Sequence, residues 1–320
     1  MTGLSYDDVL LKPRYSNVLS RNDVSLSVVL PRGIVVQRTP IMPANMKSVV
    51  SKDLASKCLK QGSLVLLHRF SNYNDLIDVY EDLERPYVAL GVSVGVKPED
   101  YGIVTSWVEE VGARIVCIDV AHCDHKLAHD MVRHIRKYND VLLIAGNVCT
   151  YEATRDLFNR GVDVVKVGIG NGAACTTRMM TGCGVPAFTA LMDCYQAKLD
   201  FEFANPGRRV SIIADGGIKA PKDACIALTR ADLVMMGWEF AQCQEAHNHG
   251  FYQGSSTYKS HYVEGITKKY YVERTVDEVY NRYHDGIRSC CSYLGSHNLA
   301  GIKEAQYTIV SQSEQLRDRK

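Results

Sequence analysis

A glycine-rich loop that carries a cysteine is the strongest chemical signal in the sequence. Residues 168–178 read GIGNGAACTTR, with Cys175 shortly after the last glycine. Glycines permit tight turns whose backbone amides and carbonyls can face a ligand or an ion. A cysteine on such a loop can be activated to the thiolate, and the Thr177 hydroxyl, two residues on, could relay a proton. A glycine-rich turn with an incidental cysteine is the alternative interpretation.

A second signal is the ADGGI segment at residues 214–218. The Asp215 carboxylate suits ribose hydroxyls, while Gly216 and Gly217 would let a phosphate approach backbone amides. An ordinary Asp-Gly-Gly turn is the alternative. The segment ends the seventh apolar run of the chain, which favours a phosphate site if the chain forms a barrel.

The IDVAHCDH segment at residues 118–125 contains two acids and two histidines. This composition suggests a metal site, but no third ligand is evident at a suitable spacing. We therefore interpret it as a strand-end carboxylate followed by a polar loop and a helix start. The AHNHG segment at 246–250 is interpreted as a solvated loop.

The elements that must position these residues are eight near-continuous apolar runs, a pattern typical of parallel strands buried on both faces. Amphipathic stretches between them predict helices over 52–61, 101–111, 125–137 and 151–160. The alternation predicts an α/β fold, a (β/α)8 TIM barrel. The predicted strands are 39–45, 63–69, 87–94, 115–121, 141–147, 164–170, 210–217 and 233–238.

A doubly wound open sheet shares this alternation. The count of eight favours the barrel, as do polar residues at the ends of the runs, which a barrel brings to one mouth. These residues are Asn45, His68, Asp119, Asn147 and Asp215. Two long connections, 170–188 and 239–271, predict binding loops or lids, the second a mobile flap after the eighth strand. We predict one domain over residues 1–320.

Composition limits the class of protein. Lys plus Arg number 37 and Asp plus Glu 36, a formal charge of +1, which argues against a nucleic-acid partner. No apolar run reaches the ~18 residues of a membrane span. The N-terminus does not resemble a secretory signal, and the 11 cysteines contain no C-x-x-C pair. We predict a cytoplasmic enzyme whose cysteines are mostly buried.

Taken together, the motifs resemble the IMP dehydrogenase and GMP reductase family over nearly the whole chain. The resemblance rests on LSYDDVLL at 4–11, PANM at 43–46, LHRF at 67–70, IAGNV at 144–148, the cysteine loop and ADGGI. The dehydrogenases usually carry inserted regulatory CBS modules, for which residues 88–118 leave no room. They also place an Arg-Tyr pair on the flap, whereas residues 252–269 contain no Arg and include YVEG at 262–265. The chain is therefore most similar to the bacterial-type GMP reductases.

The resemblance implies NADPH-dependent reductive deamination of GMP to IMP and ammonia through a covalent adduct of Cys175 at purine C2. Thr177 and Glu264 would relay the proton to the leaving amine. The resemblance also implies potassium, held by the backbone carbonyls of Gly170, Gly172 and Cys175, and a homotetramer. The substrate-binding set that it implies is Asp215, Gly216, Gly217, Gly237, Trp238, Tyr252, Gly254 and Ser255. The cofactor set is Asn45, Met46, Lys47, Arg69, Asp119, Ala121, Gly146, Asn147 and Arg178.

Three positions depart from the family pattern. Ala173 stands where a serine often touches the substrate phosphate, Trp238 follows Gly237 in place of a small residue, and Lys47 replaces Asp or Gln. Three other functions stay open: an IMP dehydrogenase without CBS modules, a purine-nucleotide-binding barrel without activity, and a flavin-dependent barrel oxidoreductase. Either arginine, Arg69 or Arg178, is a candidate for the cofactor 2′-phosphate.

Overall fold

The fold is built on an eight-stranded parallel sheet. The computed structural model describes residues 2–36, 38–72, 74–75, 79, 89–247, 250–254 and 266–317. The strands are β1 (Ile41–Pro43), β2 (Val65–Leu67), β3 (Leu90–Val94), β4 (Ile115–Asp119), β5 (Leu142–Val148), β6 (Val164–Val167), β7 (Ser211–Asp215) and β8 (Leu233–Met236).

The strands pair in the order β1-β8-β7-β6-β5-β4-β3-β2, and the ladders between successive strands of this order are parallel. β1 and β2 lie side by side at the closure, where the Ser63 hydroxyl donates to the Ile41 carbonyl at 2.9 Å. Neighbours in the sheet are neighbours in sequence, so the fold is a (β/α)8 barrel and not a doubly wound sheet. The predicted fold class is confirmed.

Helices alternate with the strands, and the four predicted helices are present. Two of them have side-chain caps, with Ser51 accepting from the Leu54 amide and Thr150 from the Ala153 amide. The predicted helix at 101–111 starts earlier, at Pro98, and its last turn is π-helical over Ser106–Glu110. The α-helices are Lys52–Lys60, Pro98–Thr105, Lys126–Ile135, Tyr151–Asn159, Thr177–Thr181, Ala187–Ala204, Pro221–Leu228, Trp238–Ala241, Val276–Tyr293 and Gln312–Arg317.

The core lies on both faces of the barrel strands. Ile115, Val116, Cys117 and Ile118 of β4 are all fully buried, which explains the unbroken apolar run. Most cysteines are buried as predicted, and Cys175 and Cys183 are exposed. None of the helices in the described ranges is long and apolar enough to cross a membrane.

Smaller sheets lie outside the barrel. Val9–Leu11 pairs antiparallel with Tyr307–Ile309, and Val28–Val29 pairs with Val35–Val36. Phe251–Gln253 pairs antiparallel with Thr267–Lys269 and forms the base of the predicted flap. The flap residues between them, 255–265, lie outside the described part of the chain.

Candidate active site

Two adjoining cavities open at the carboxyl ends of the barrel strands. The larger, here called the cleft, has a volume of about 240 Å³, and the smaller, the side cavity, of about 170 Å³. The residues that line both are Asn45, Met46, Arg69, Asp119 and Gly254. This shared edge gives the barrel mouth space for two ligands in contact.

The cysteine loop forms one wall of the cleft. The exposed Cys175 thiol donates to the Thr177 hydroxyl oxygen at 3.1 Å, and the Cys175 amide donates to the Gly172 carbonyl at 3.0 Å. Thr177 begins the helix Thr177–Thr181 and is only 9 % exposed, so its hydroxyl is fixed beside the sulfur. Gly168 has φ +150°, and a Cβ there would overlap the Asp215 carbonyl. The glycine thus lets the loop start directly against β7.

Asp215, the last residue of β7, is held by a side-chain amide from β5, two strands away in the sheet. The Asn147 amide nitrogen donates to the Asp215 carboxylate at 2.8 Å and to the Gly168 carbonyl at 2.7 Å. Asn147 therefore connects the ends of β5, β6 and β7. The Asp215 carboxylate faces the cleft with an orientation suited to accepting hydrogen bonds from a ligand.

A buried lysine lies beneath the cleft. Lys166 of β6 is 1 % exposed, and its ammonium donates to the Asp119 carboxylate at 2.6 Å and lies 3.6 Å from the Asp215 carboxylate. Burial opposes the charge, but the carboxylates of Asp119 and Asp215 outweigh it and raise the pKa of Lys166. Lys166 also reaches the Asn45 side-chain oxygen at 3.4 Å. One cation thus links the ends of β1, β4, β6 and β7.

Glycine turns form the other end of the cleft. Gly216 and Gly217 have φ of +84° and +80°, a left-handed conformation that favours glycine. A Cβ at Gly237 would overlap the Tyr252 hydroxyl. Backbone amides near glycine are accessible to an anion, so this end suits a phosphate. Burial raises the pKa of Tyr252, so that its hydroxyl remains a hydrogen-bond donor at neutral pH.

Trp238 begins the short helix after β8 and lines the cleft. Its ring packs edge-on against Tyr252, with centroids 5.6 Å apart, and against Tyr270 at 6.0 Å. The Lys268 ammonium lies 5.9 Å from the ring centroid. The large ring is therefore accommodated in an aromatic cluster that supports Tyr252.

The side cavity combines cations with flat rings. It is lined by Lys47, His68, Arg69 and Phe70, among others, and the Arg69 guanidinium lies 4.9 Å from the Phe70 ring centroid. Burial lowers the pKa of His68 to about 4, so this imidazole is neutral at pH 7. A planar ring carrying phosphate groups has the chemistry that such a cavity accepts.

Comparison with known proteins identifies the family of this chain. Residues 3–265 match the family model described as the IMP dehydrogenase / GMP reductase domain. The chain belongs to the IMP dehydrogenase/GMP reductase family. It is 32 % identical over 328 residues to a GMP reductase of Bacillus licheniformis, covering 96 % of each chain. It is 30 % identical over 333 residues to a GMP reductase of Helicobacter pylori, covering 98 % of each chain.

Most of the residues that the family resemblance singled out line the two cavities. Ser255 and Glu264 lie outside the described residues. Gly146 lines neither cavity, but a Cβ there would overlap Lys166. The lining residues among those predicted are Asn45, Met46, Lys47, Arg69, Asp119, Ala121, Asn147, Gly170, Gly172, Cys175, Thr177, Asp215, Gly216, Gly217, Gly237, Trp238, Tyr252 and Gly254.

Arg178 is placed differently from the other predicted cofactor residues. Its guanidinium donates to the Asn171 side chain and, at 2.7 Å, to the Val185 carbonyl. These bonds brace the cysteine loop against the following segment. Arg178 lines neither cavity, and Arg69 is the arginine that lies at their shared edge.

Two charged residues of the cleft were not predicted from the sequence. Lys166 interrupts the apolar run of β6, and a lysine inside a buried strand is itself a signal, because a buried charge needs partners. Lys219 lines the cleft just after Gly216 and Gly217, with its side chain 70 % exposed and its ammonium 3.6 Å from the Asp7 carboxylate. A cation there can face an anion bound at the glycine turns.

Proposed function

We propose that the chain catalyses the NADPH-dependent reductive deamination of GMP to IMP and ammonia. The observation that carries the proposal is the pairing of the exposed Cys175 thiol with the Thr177 hydroxyl at 3.1 Å, in the cleft that Asp215 also lines. The similarity to proteins named GMP reductase over nearly the full chain supports the choice of reaction.

In the proposed reaction the Cys175 thiolate attacks C2 of the purine, so that an Sγ–C2 bond forms and the C2–N2 bond breaks. The departing amine takes up protons through Thr177 and Glu264 and leaves as ammonia. Hydride addition at C2 then breaks the Sγ–C2 bond, which yields IMP and restores the thiolate. Covalent catalysis replaces one difficult displacement by two easier steps.

The rest of the cleft binds and orients GMP in this proposal. The Asp215 carboxylate, held by Asn147, accepts from the ribose hydroxyls. Backbone amides at Gly216, Gly217 and Gly237 receive the phosphate. Lys219, which lines the cleft, adds positive charge near the phosphate.

The side cavity fits a nicotinamide cofactor because it shares an edge with the cleft and combines the cations Lys47 and Arg69 with the rings of His68 and Phe70. When bound, the cofactor supplies the hydride. Lys47 and Arg69 would face its phosphates, and Arg69 would favour NADPH over NADH if it pairs with the 2′-phosphate. Asn45 and Asp119, which line both cavities, contact Lys166.

We also propose that a potassium ion binds the carbonyls of Gly170, Gly172 and Cys175. The Gly172 carbonyl accepts from the Cys175 amide, and its second lone pair remains for an ion. Gly170, with φ +79°, turns the loop at this point. Turnover should therefore depend on K⁺ and fall when Na⁺ or Li⁺ replaces it.

The decisive assay is loss of NADPH absorbance with GMP, run beside formation of NADH with IMP and NAD⁺. NADPH consumption with stoichiometric ammonia release is the expected result. NADH formation without GMP-dependent oxidation would instead identify an IMP dehydrogenase without CBS modules. Silence in both assays would leave a nucleotide-binding barrel, and a yellow purified protein would indicate the flavin alternative.

Cysteine variants test the nucleophile. Cys175→Ala should abolish turnover and leave GMP binding largely intact, whereas Cys183→Ala, which removes the other exposed thiol, should keep normal turnover. Normal GMP reduction by the Cys175 variant would contradict the assignment. Glu264→Gln should slow ammonia release more than it weakens binding, and unchanged turnover would exclude the relay.

For the assembly we propose one barrel domain, without inserted regulatory modules, in a homotetramer. Large apolar side chains that remain exposed in the single chain support association. They include Tyr15, Leu19 and Met179, which are 91 %, 97 % and 88 % exposed. Light scattering of the purified protein should give four times the mass of the chain.

A further inference from the structure

A cluster of three metal-ligating side chains lies beside the barrel mouth, outside the two cavities. Asp124 precedes the helix Lys126–Ile135, His129 lies in that helix, and Asp156 lies in the next helix, Tyr151–Asn159. The His129 Nε2 atom is 3.1 Å from the Asp124 carboxylate and 3.5 Å from that of Asp156. One donor atom from each residue lies within 4.8 Å of the others.

The two distances from His129 Nε2, 3.1 and 3.5 Å, match the ligand-to-ligand spacing of a coordination shell. Two donors bound at about 2.0–2.1 Å to a tetrahedral Zn²⁺ are about 3.3 Å apart. The three residues come from three separate places in the sequence, so their convergence is a property of the fold. It also supplies the further ligands that the 118–125 segment lacks.

The His129 ring gives the second argument. Its Nε2 atom is buried and makes no hydrogen bond in the described structure, although two carboxylates lie within 3.5 Å. The nitrogen therefore lies close to both carboxylates, but at angles that do not allow a hydrogen bond. A buried nitrogen without a hydrogen bond costs free energy unless another group, such as a metal ion, binds it. An imidazole nitrogen with two carboxylate oxygens suits Zn²⁺ and neighbouring first-row ions, whereas Ca²⁺ and Mg²⁺ prefer oxygen ligands alone.

The surroundings fit this assignment. The Asp124 and Asp156 side chains are 38 % and 40 % exposed, so an ion can enter from solvent and retain a water ligand. The Arg160 guanidinium donates to the Asp156 carboxylate at 2.6 Å. A ligating carboxylate commonly holds such an outer hydrogen bond, which fixes its orientation, and here Arg160 and His129 face the same oxygen of Asp156, Oδ2.

We propose that Asp124, His129 and Asp156 form a binding site for a divalent transition-metal ion, Zn²⁺ in the first instance. The site is separate from the proposed reaction, because Asp119 and Ala121, not these three residues, line the cleft. An ion there would tie the loop after β4, which carries Ala121, to the neighbouring helix. Metal binding should therefore stabilise the fold without being required for turnover.

The test is titration of the metal-free, full-length protein with Co²⁺, followed by displacement with Zn²⁺. We expect one tightly bound ion per chain, ligand-field absorption without an intense thiolate charge-transfer band, and a higher melting temperature with Zn²⁺. His129→Ala and Asp124→Asn should each weaken binding about a hundredfold or more, because changes even in outer-sphere partners cost about 10- to 100-fold. His297→Ala, which removes an exposed histidine elsewhere, should bind like wild type.

Three results would overturn the proposal. One is the absence of stoichiometric binding to the folded wild-type protein. Another is unchanged affinity in both ligand variants, each verified as folded by circular dichroism. The third is an intense thiolate band, which would place the ion on cysteines.

Discussion

Replacing Lys166 by methionine tests the charge network on which the proposed substrate site depends. Methionine keeps an unbranched apolar side chain of similar volume but lacks the ammonium, which lies 2.6 Å from the Asp119 carboxylate and 3.6 Å from that of Asp215. The pKa of Lys166 is raised, since the two carboxylates outweigh its burial. The charged form therefore contributes its stability fully below the unfolded pKa of about 10.4, and loses it only above that, as the pH passes the folded value.

The expected loss in Lys166→Met is about 3 kcal/mol of unfolding free energy at pH 7. Removing one partner of a buried ion pair costs about 3–5 kcal/mol, because the remaining charge is uncompensated. The lower end applies here, since the Asp119 and Asp215 side chains are 17 % and 21 % exposed and keep some hydration. A domain stability of about 5–15 kcal/mol leaves the variant folded.

Urea unfolding of four proteins measures this effect: wild type, Lys166→Met, Asp119→Asn and the double variant. The double variant should be more stable than the sum of the single losses predicts, by about 1–3 kcal/mol, since residue 119 no longer carries a charge that lacks its lysine partner. Lys137→Met, an exposed control, should stay within about 0.5 kcal/mol of wild type. In the GMP assay, Lys166→Met should raise KM because Asp215 loses one of its two partners. A single-variant loss below about 1 kcal/mol, or strictly additive losses, would refute the reasoning.

Three further predictions concern other residues. Gly237→Ala places a Cβ against the Tyr252 hydroxyl. It should lower the free energy of unfolding by about 1–3 kcal/mol, measured by thermal unfolding, and raise the KM for GMP in kinetic assays. An unchanged KM would show that Tyr252 does not contact the substrate. Burial lowers the pKa of His284 to about 4, so the free energy of unfolding should fall by up to about 3 kcal/mol as the pH falls from 6.5 to 4. In His284→Leu, urea unfolding at several pH values should show a smaller fall over this range. A fall equal to that of wild type would contradict the role of His284. Lys219→Ala should raise KM for GMP several-fold at low salt and less at 0.5 M KCl, where the Debye length is about 4 Å; a salt-independent change would argue against a charge contact.

The barrel could be predicted from sequence because its strands are apolar on both faces, and this produces unbroken runs that differ from helical periodicity. The ends of the runs were less predictable. The run at 233–238 leaves the sheet after Met236, and Trp238 begins a helix. An aromatic residue is common both in buried strands and in aromatic clusters outside a sheet, so the residue type alone does not show whether Trp238 belongs to the strand.

Sequence motifs identified those parts of the site whose residues are close together in sequence, such as Cys175 and Thr177. The Lys166 contacts are not: they join residues 47 and 49 positions apart across three strands. The Asp124, His129 and Asp156 cluster is likewise set by the packing of two helices. A charged residue inside an apolar run indicates that a partner exists, but only the strand order identifies which carboxylate it is.

Two of the three departures from the family pattern, Ala173 and Trp238, line the cleft in which we propose that GMP binds, whereas Lys47 lines the side cavity. Ala173 provides no hydroxyl there, so one neutral hydrogen bond is missing, while Lys219 provides a cation. Trp238 supports Tyr252 through ring contacts, so the phenol is held by packing. A site that lacks this short-range hydroxyl contact and has a largely exposed ammonium depends on ionic strength. GMP affinity in this chain should therefore fall as salt is added, and the fall should be shallower in Lys219→Ala.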